Sequence, residues 1–159
     1  MVLIPAVITA GCIAVLALVG LVLRFLQVRK QMSACEIIFS ERSANFYGLS
    51  SLGPGQFRGN GWLALTKDSL MFKMYFPAKS LTIPLETINR VEAVRTHLGK
   101  TGKAGSSLLR ISYLSGEHEE AAAWNVDHTA QWIEGIRANG RNGANGTTDL
   151  FSRERNRQS

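Results

Sequence analysis

No charged side chain occurs before Arg24: Val2–Leu23 is built almost wholly from Val, Leu, Ile and Ala. As a helix, such a run extends about 33 Å, enough to cross a hydrocarbon core of roughly 30 Å. It offers no polar face to water, which argues against a core helix of a soluble protein. Pro5 falls in the first turn, where its missing N–H is tolerated. A cleaved secretory signal is the competing reading. Against it, no basic residue precedes the run, the run outlasts a signal core, and no small-x-small site separates it from Arg24. Thr9-Ala10-Gly11-Cys12 fits a lipoprotein box poorly, with Thr where an aliphatic residue is wanted. The expectation is an uncleaved transmembrane anchor at residues 1–23. Arg24, Arg29 and Lys30 form its basic flank, which places the N-terminus outside and the remainder in the cytoplasm, at the cell membrane.

The rest of the chain is a different material. The formal net charge is +6, and the segments 1–42, 43–138 and 139–159 each carry about +2. No block of like charge forms a nucleic-acid arm; a diffuse excess suits work beside an anionic bilayer. Cys12 sits in the apolar run and Cys35 beyond its basic flank, so a disulfide would join different environments. Residues 24–42 read as a juxtamembrane linker. Its helical start, to Met32, lays Phe25, Leu26 and Val28 on lipid and reaches headgroups with its basic side chains.

From Ala44 the pattern turns to strands. In Ser69–Phe76, Leu70, Phe72, Met74 and Phe76 alternate with Met71, Lys73 and Tyr75, the period of a half-buried strand. Ala44–Leu49, Trp62–Thr66, Ser80–Ile83, Ile88–Thr96, Leu108–Leu114 and Glu117–Val126 complete an antiparallel meander, with a turn at Lys67-Asp68 and a ladder break at Pro84. Asp127 is a good N-cap for a closing helix, Asp127–Ala138, that gathers Trp132, Ile133 and Ile136 on one side. Asn139-Gly140 supplies a left-handed stop. Residues 139–159 have the composition of a disordered tail.

The segments LALTKDSLMF, LTIPLETINRVE, LLRISY and AAAWNVDHTAQWIEGI, in this order and spacing, resemble the bacterial pleckstrin-homology-like domains and the related GRAM domains. The match covers roughly Ala44–Ala138. The resemblance implies a mainly β (α+β) barrel or sandwich, domain 43–138, capped by a C-terminal helix, and a non-catalytic role in binding proteins or lipids without cofactors. Members that grip inositol phosphates carry several Lys and Arg around the first hairpin; here residues 55–61 offer only Arg58.

The one local cluster of interest is basic. Arg95, His97, Lys100 and Lys103 fall on a glycine-rich loop and, with Arg58, are the candidate ligand-binding residues, for an acidic partner or anionic headgroups. Gly99-Lys100-Thr101 lacks the glycine of a phosphate loop five residues earlier, where Val94 stands. Glu117-His118-Glu119-Glu120 diverges along a strand and forms no metal site. No nucleophile, base and orienting group share a spacing, so no catalytic residue is assigned. The expected object is a single-pass membrane protein whose domain binds or scaffolds another membrane-associated protein. Direct recognition of anionic headgroups through loop 95–103 is the alternative.

Overall fold

The computed structural model describes residues 3–33, 35–102 and 106–140, with side chains from residue 11 onward. Helix α1 spans Leu3–Ser33, 31 residues and about 46 Å of rise. It is long and apolar enough to cross a membrane, a test that a signal sequence also passes. From Gly11 to Leu23 every side chain is exposed.

Nine strands follow: β1 Ile37–Leu49, β2 Gly59–Thr66, β3 Ser69–Met74, β4 Ser80–Pro84, β5 Ile88–Val94, β6 Thr96–His97, β7 Lys100–Thr101, β8 Leu108–Ser115 and β9 His118–Asn125. Seven form one antiparallel sheet in the order β4-β3-β2-β1-β9-β8-β5. β6 and β7 pair separately around Leu98-Gly99, both at positive φ, as a tight hairpin turn requires. The two edge strands, β4 and β5, do not pair with each other, so the sheet is not closed.

β1 joins the two halves of the sheet. Its first part pairs with β2, Ile37 opposite Thr66 through Phe46 opposite Gly59. Its last residues pair with β9, Asn45 opposite Asn125 through Leu49 opposite Ala122. Register shifts at Glu41/Ala44 and Phe46/Gly48 mark the bend between these halves. Gly48, at φ 120°, occupies a conformation that side chains disfavour. β1 therefore begins at Ile37, seven residues before Ala44. The apolar patch Ile37-Ile38-Phe39, which falls within the expected linker, is its start.

The core lies between the curled sheet and helix α2, residues 129–140. Leu63, Leu65, Leu70, Phe72, Met74, Leu109, Ile111, Trp124, Trp132 and Ile136 are all buried in it. The rings of Phe46, Phe72 and Trp124 lie with centroids 5.3 to 5.8 Å apart. The alternation read in β3 holds through Met74 but not to Phe76. The strand ends, a cis peptide joins Phe76 to Pro77, and Phe76 is 78% exposed.

Both ends of α2 differ from expectation. Asp127 and His128 form a turn before the helix, and the first backbone bond runs from the Trp132 amide to the His128 carbonyl. The Glu41 carboxylate of β1 accepts from the Asp127 amide at 3.2 Å and from Trp132 Nε1 at 3.3 Å. A carboxylate from a distant strand thus ties the turn before α2 and the Trp132 indole to β1, and places negative charge near the helix start, where it is favoured. At the other end, Asn139 and Gly140 remain helical rather than forming a left-handed stop. Asn139 Nδ2 donates to the Gly135 carbonyl at 2.8 Å. The tail 141–159 lies outside the described residues.

Candidate functional site

Helix α1 does not lead into a linker; its last three turns lie on the outer face of the β2–β3 hairpin. Val28 and Met32, one helical turn apart, are fully buried against Trp62 and Ala64, with Ile37, Met71 and Tyr75 around them. Lys73 Nζ donates to Gln31 Oε1 at 2.6 Å, Arg24 Nη2 to the Met74 carbonyl at 3.3 Å, and the Phe25 and Tyr75 rings lie 5.4 Å apart. Val28 is therefore removed from lipid contact, and Arg24 is tied to the sheet; Arg29 and Lys30 are exposed. Trp62 is buried under α1, with the Arg42 guanidinium 4.5 Å from its ring. Tyr75 donates to the Arg42 carbonyl at 3.0 Å; burial raises its pKa, against the opposing pull of the Arg42 charge.

These contacts fix a direction. Passing from Lys73 to Tyr75, β3 runs from the level of Gln31 back to that of Phe25. Residues 75–79 thus lie on the side of the apolar run, and the Lys67-Asp68 turn lies at the other end.

The structure gathers part of the predicted basic cluster near the bend of β1. His97 is buried, and its Nε2 lies 3.1 Å from the Gly48 carbonyl. Desolvation lowers its pKa, against the bond to Gly48, which raises it. Lys100 Nζ donates to the Gln56 carbonyl at 3.1 Å, and the Arg58 guanidinium lies 4.4 Å from the centre of the Tyr47 ring. Gln56 in turn bridges the loop, its Nε2 donating to the Leu49 and Gly53 carbonyls and its Oε1 accepting from the Leu49 amide. These side chains brace the β5–β8 loop against the β1–β2 loop. Arg95 is exposed, apart from the brace, and Lys103 lies outside the described residues.

Glu120 is the residue that sequence reasoning missed. In the Glu117-His118-Glu119-Glu120 run the first three are exposed, and Glu120 is buried. Its carboxylate accepts from the Ser50 and Ser51 hydroxyls and from the Ser51 and Ala121 amides. Burial acts to raise its pKa, but those four donors prevail and hold it below the usual value. The one available signal was a carboxylate joined directly to the apolar strand Ala121–Trp124, which obliges it to find partners. Among the described residues no group of three His, Cys, Asp or Glu is placed to hold a metal.

A pH dependence follows. Glu120 and His97 are both depressed on folding, so each binds more protons unfolded than folded. The His97 contribution is complete above about pH 6.5, and that of Glu120 above about pH 4.5, their unfolded values; each is lost as pH falls through its folded pKa. Urea denaturation of the full chain in micelles is expected to show stability falling in these two stages. Glu120→Gln should abolish the more acidic stage and cost roughly 1–3 kcal/mol at neutral pH. An unchanged acid limb in that variant would refute the assignment.

The second feature is a cleft of 520 Å³ where the sheet stays open. Its walls are Leu85, Ile88 and Val91 on one side and Ile136, Arg137 and Gly140 on the other, so β5 presents its free edge to α2. Arg137 Nη2 crosses to the Val91 carbonyl at 2.9 Å. Because the Leu85 amide donates to the Asp68 carbonyl at 2.9 Å, the cleft belongs to the end away from the apolar run.

Together these features define an antiparallel β domain with a C-terminal helix, carried on an N-terminal apolar helix. No protein-family model matches the chain, and no curated protein is similar to it in sequence. In structure it is similar to the C-terminal domain of an unknown protein from Leishmania infantum. The TM-score is 0.51 at 13% identity, over 73% of this chain and 94% of that one. The likeness carries the fold alone.

Proposed function

We propose that the chain is a non-catalytic, single-pass membrane protein whose sheet and α2 form a pleckstrin-homology-like module in the cytoplasm, binding an extended segment of a membrane-associated protein in the β5–α2 cleft. The carrying observation is the β5 edge facing that cleft, which pairs with no strand: apart from the Val91 carbonyl, which Arg137 holds and would have to release, its backbone groups offer an added strand a hydrogen-bonding ladder. Anchoring rather than cleavage is supported by the absence of a small-x-small site before Arg24 and by the continuity of α1 from the apolar run into the turns docked on the sheet. The cytoplasmic orientation rests on Arg24, Arg29 and Lys30 after the span. A protein partner is favoured over specific headgroup recognition because His97, Lys100 and Arg58 already hold internal contacts.

The test uses the full chain in native membranes. A photo-cross-linking residue at position 89, exposed beside the cleft, is expected to yield one discrete adduct that Arg90→Glu suppresses. The same adducts from position 79, exposed at the opposite end of the domain, would defeat the cleft. A reporter fused after Ser159 that proved active outside the cytoplasm would defeat the topology.

A further inference from the structure

The structure places two exposed phenylalanines on the side of the domain from which the apolar helix emerges, and we propose that they insert into the bilayer beside it. Phe76 is 78% exposed and Phe57 76%. Single exposed apolar residues are ordinary, but these two share one rim. Phe57 lies two residues before Gly59, where an added Cβ would stand 2.8 Å from the Phe76 carbonyl, and the Tyr75 amide donates to Asn60 at 3.0 Å.

The occupant follows from the docking of α1. The tilted ring of Tyr75 packs beside Phe25 and the Met74 carbonyl holds Arg24, so Phe76 continues the line of β3 toward Leu23, where the uncharged run ends. The Met74 amide donates to the Lys79 carbonyl at 2.8 Å, which closes residues 75–79 into a tight loop pointing the same way. Exposed Lys79 lies three residues beyond Phe76, and Leu21, Val22 and Leu23 are exposed along the adjoining helix. Aromatic rings beside basic side chains at the end of a span match the chemistry of the membrane interface, with apolar bodies in the acyl boundary and cations at phosphates. The surface is continuous with the span, which makes lipid the occupant rather than a protein. It also differs from headgroup recognition through the 95–103 loop, since insertion here needs no headgroup specificity.

This inference rests on the anchor reading, and its test separates the two. The full chain carrying Cys12→Ser and Cys35→Ser is reconstituted in phosphatidylcholine–phosphatidylglycerol vesicles. An environment-sensitive fluorophore is attached in turn through Phe76→Cys, Phe57→Cys, Leu16→Cys or Lys67→Cys. The labels at 76 and 57 are expected to shift to the blue and lose most of their emission to a shallow spin-labelled lipid. The label at 16 should respond to a deep quencher, and the label at 67 should remain aqueous. Aqueous spectra at 76 and 57 with a lipid-buried label at 16 would overturn the insertion and leave the anchor standing. An aqueous label at 16 would overturn both.

Discussion

Trp132→Ala is expected to lower the stability of the domain by about 3–5 kcal/mol, the range for truncating a fully buried large aromatic side chain. Trp132 has no exposed surface, meets the Phe39 ring edge-on at 4.6 Å, and donates from Nε1 to Glu41. The substitution opens a cavity between α2 and β1 and leaves the Glu41 carboxylate only its bond to the Asp127 amide. Because Ile136 and Arg137 reach the cleft from the same helix, the damage spreads to that wall. Chemical denaturation of the full chain in micelles reads the loss, and limited proteolysis within residues 129–140 reads the release of α2. Trp132→Phe keeps the packing and loses the donor, so its cost should be the smaller. Equal costs for the two variants would show that the bond to Glu41, not the packing, holds the helix.

Gly61→Ala should be nearly as severe, although it adds one methyl group. A Cβ at Gly61 would stand 2.4 Å from the Lys73 carbonyl and 2.7 Å from the Phe72 ring. The first neighbour is backbone of the paired strand, which cannot turn aside, and Phe72 is buried in the core. The β2–β3 pair must separate, at about 1–3 kcal/mol or somewhat more. Gly55→Ala is the matched control, because nothing lies within 4 Å of its Cβ position. It should stay within about 0.5 kcal/mol of the parent. Thermal unfolding of both variants decides the matter; equal melting temperatures would show that the strands accommodate the methyl.

How much of this could be seen beforehand depended on contrast between neighbouring residues. β3 was legible because Leu70, Phe72 and Met74 alternate with Met71 and Lys73, and its burial follows the same alternation. α2 was legible through Trp132 and Ile136, spaced one turn apart among polar residues. The docking of α1 was not legible in this way. Phe25, Val28 and Met32 do form a stripe among polar residues, but a helix lying at a membrane interface carries the same pattern, so nothing distinguished a sheet-facing pair from a lipid-facing one. The double pairing of β1 was hidden for another reason: Glu41, Arg42 and Ser43 interrupt its alternation where it shifts register. Long-range polar contacts, such as Glu41 at the start of α2 or Glu120 between Ser50 and Ser51, leave no local signature. In the candidate site, the sequence marked His97, Lys100 and Arg58 but not their internal partners. It also placed Phe76 inward, because the alternation before it gave no sign that the strand would stop at Met74.

The unbroken course of α1 from Leu23 to Ser33 has a mechanical consequence. A helix whose final turns are clamped to a sheet by Val28, Met32, Arg24 and Gln31 carries no hinge at its exit from the apolar run. Torque applied to the apolar half would then pass to the domain without loss at a joint. A quarter turn of the helix about its axis swings the β5–α2 cleft through the same quarter turn, like a vane on a shaft.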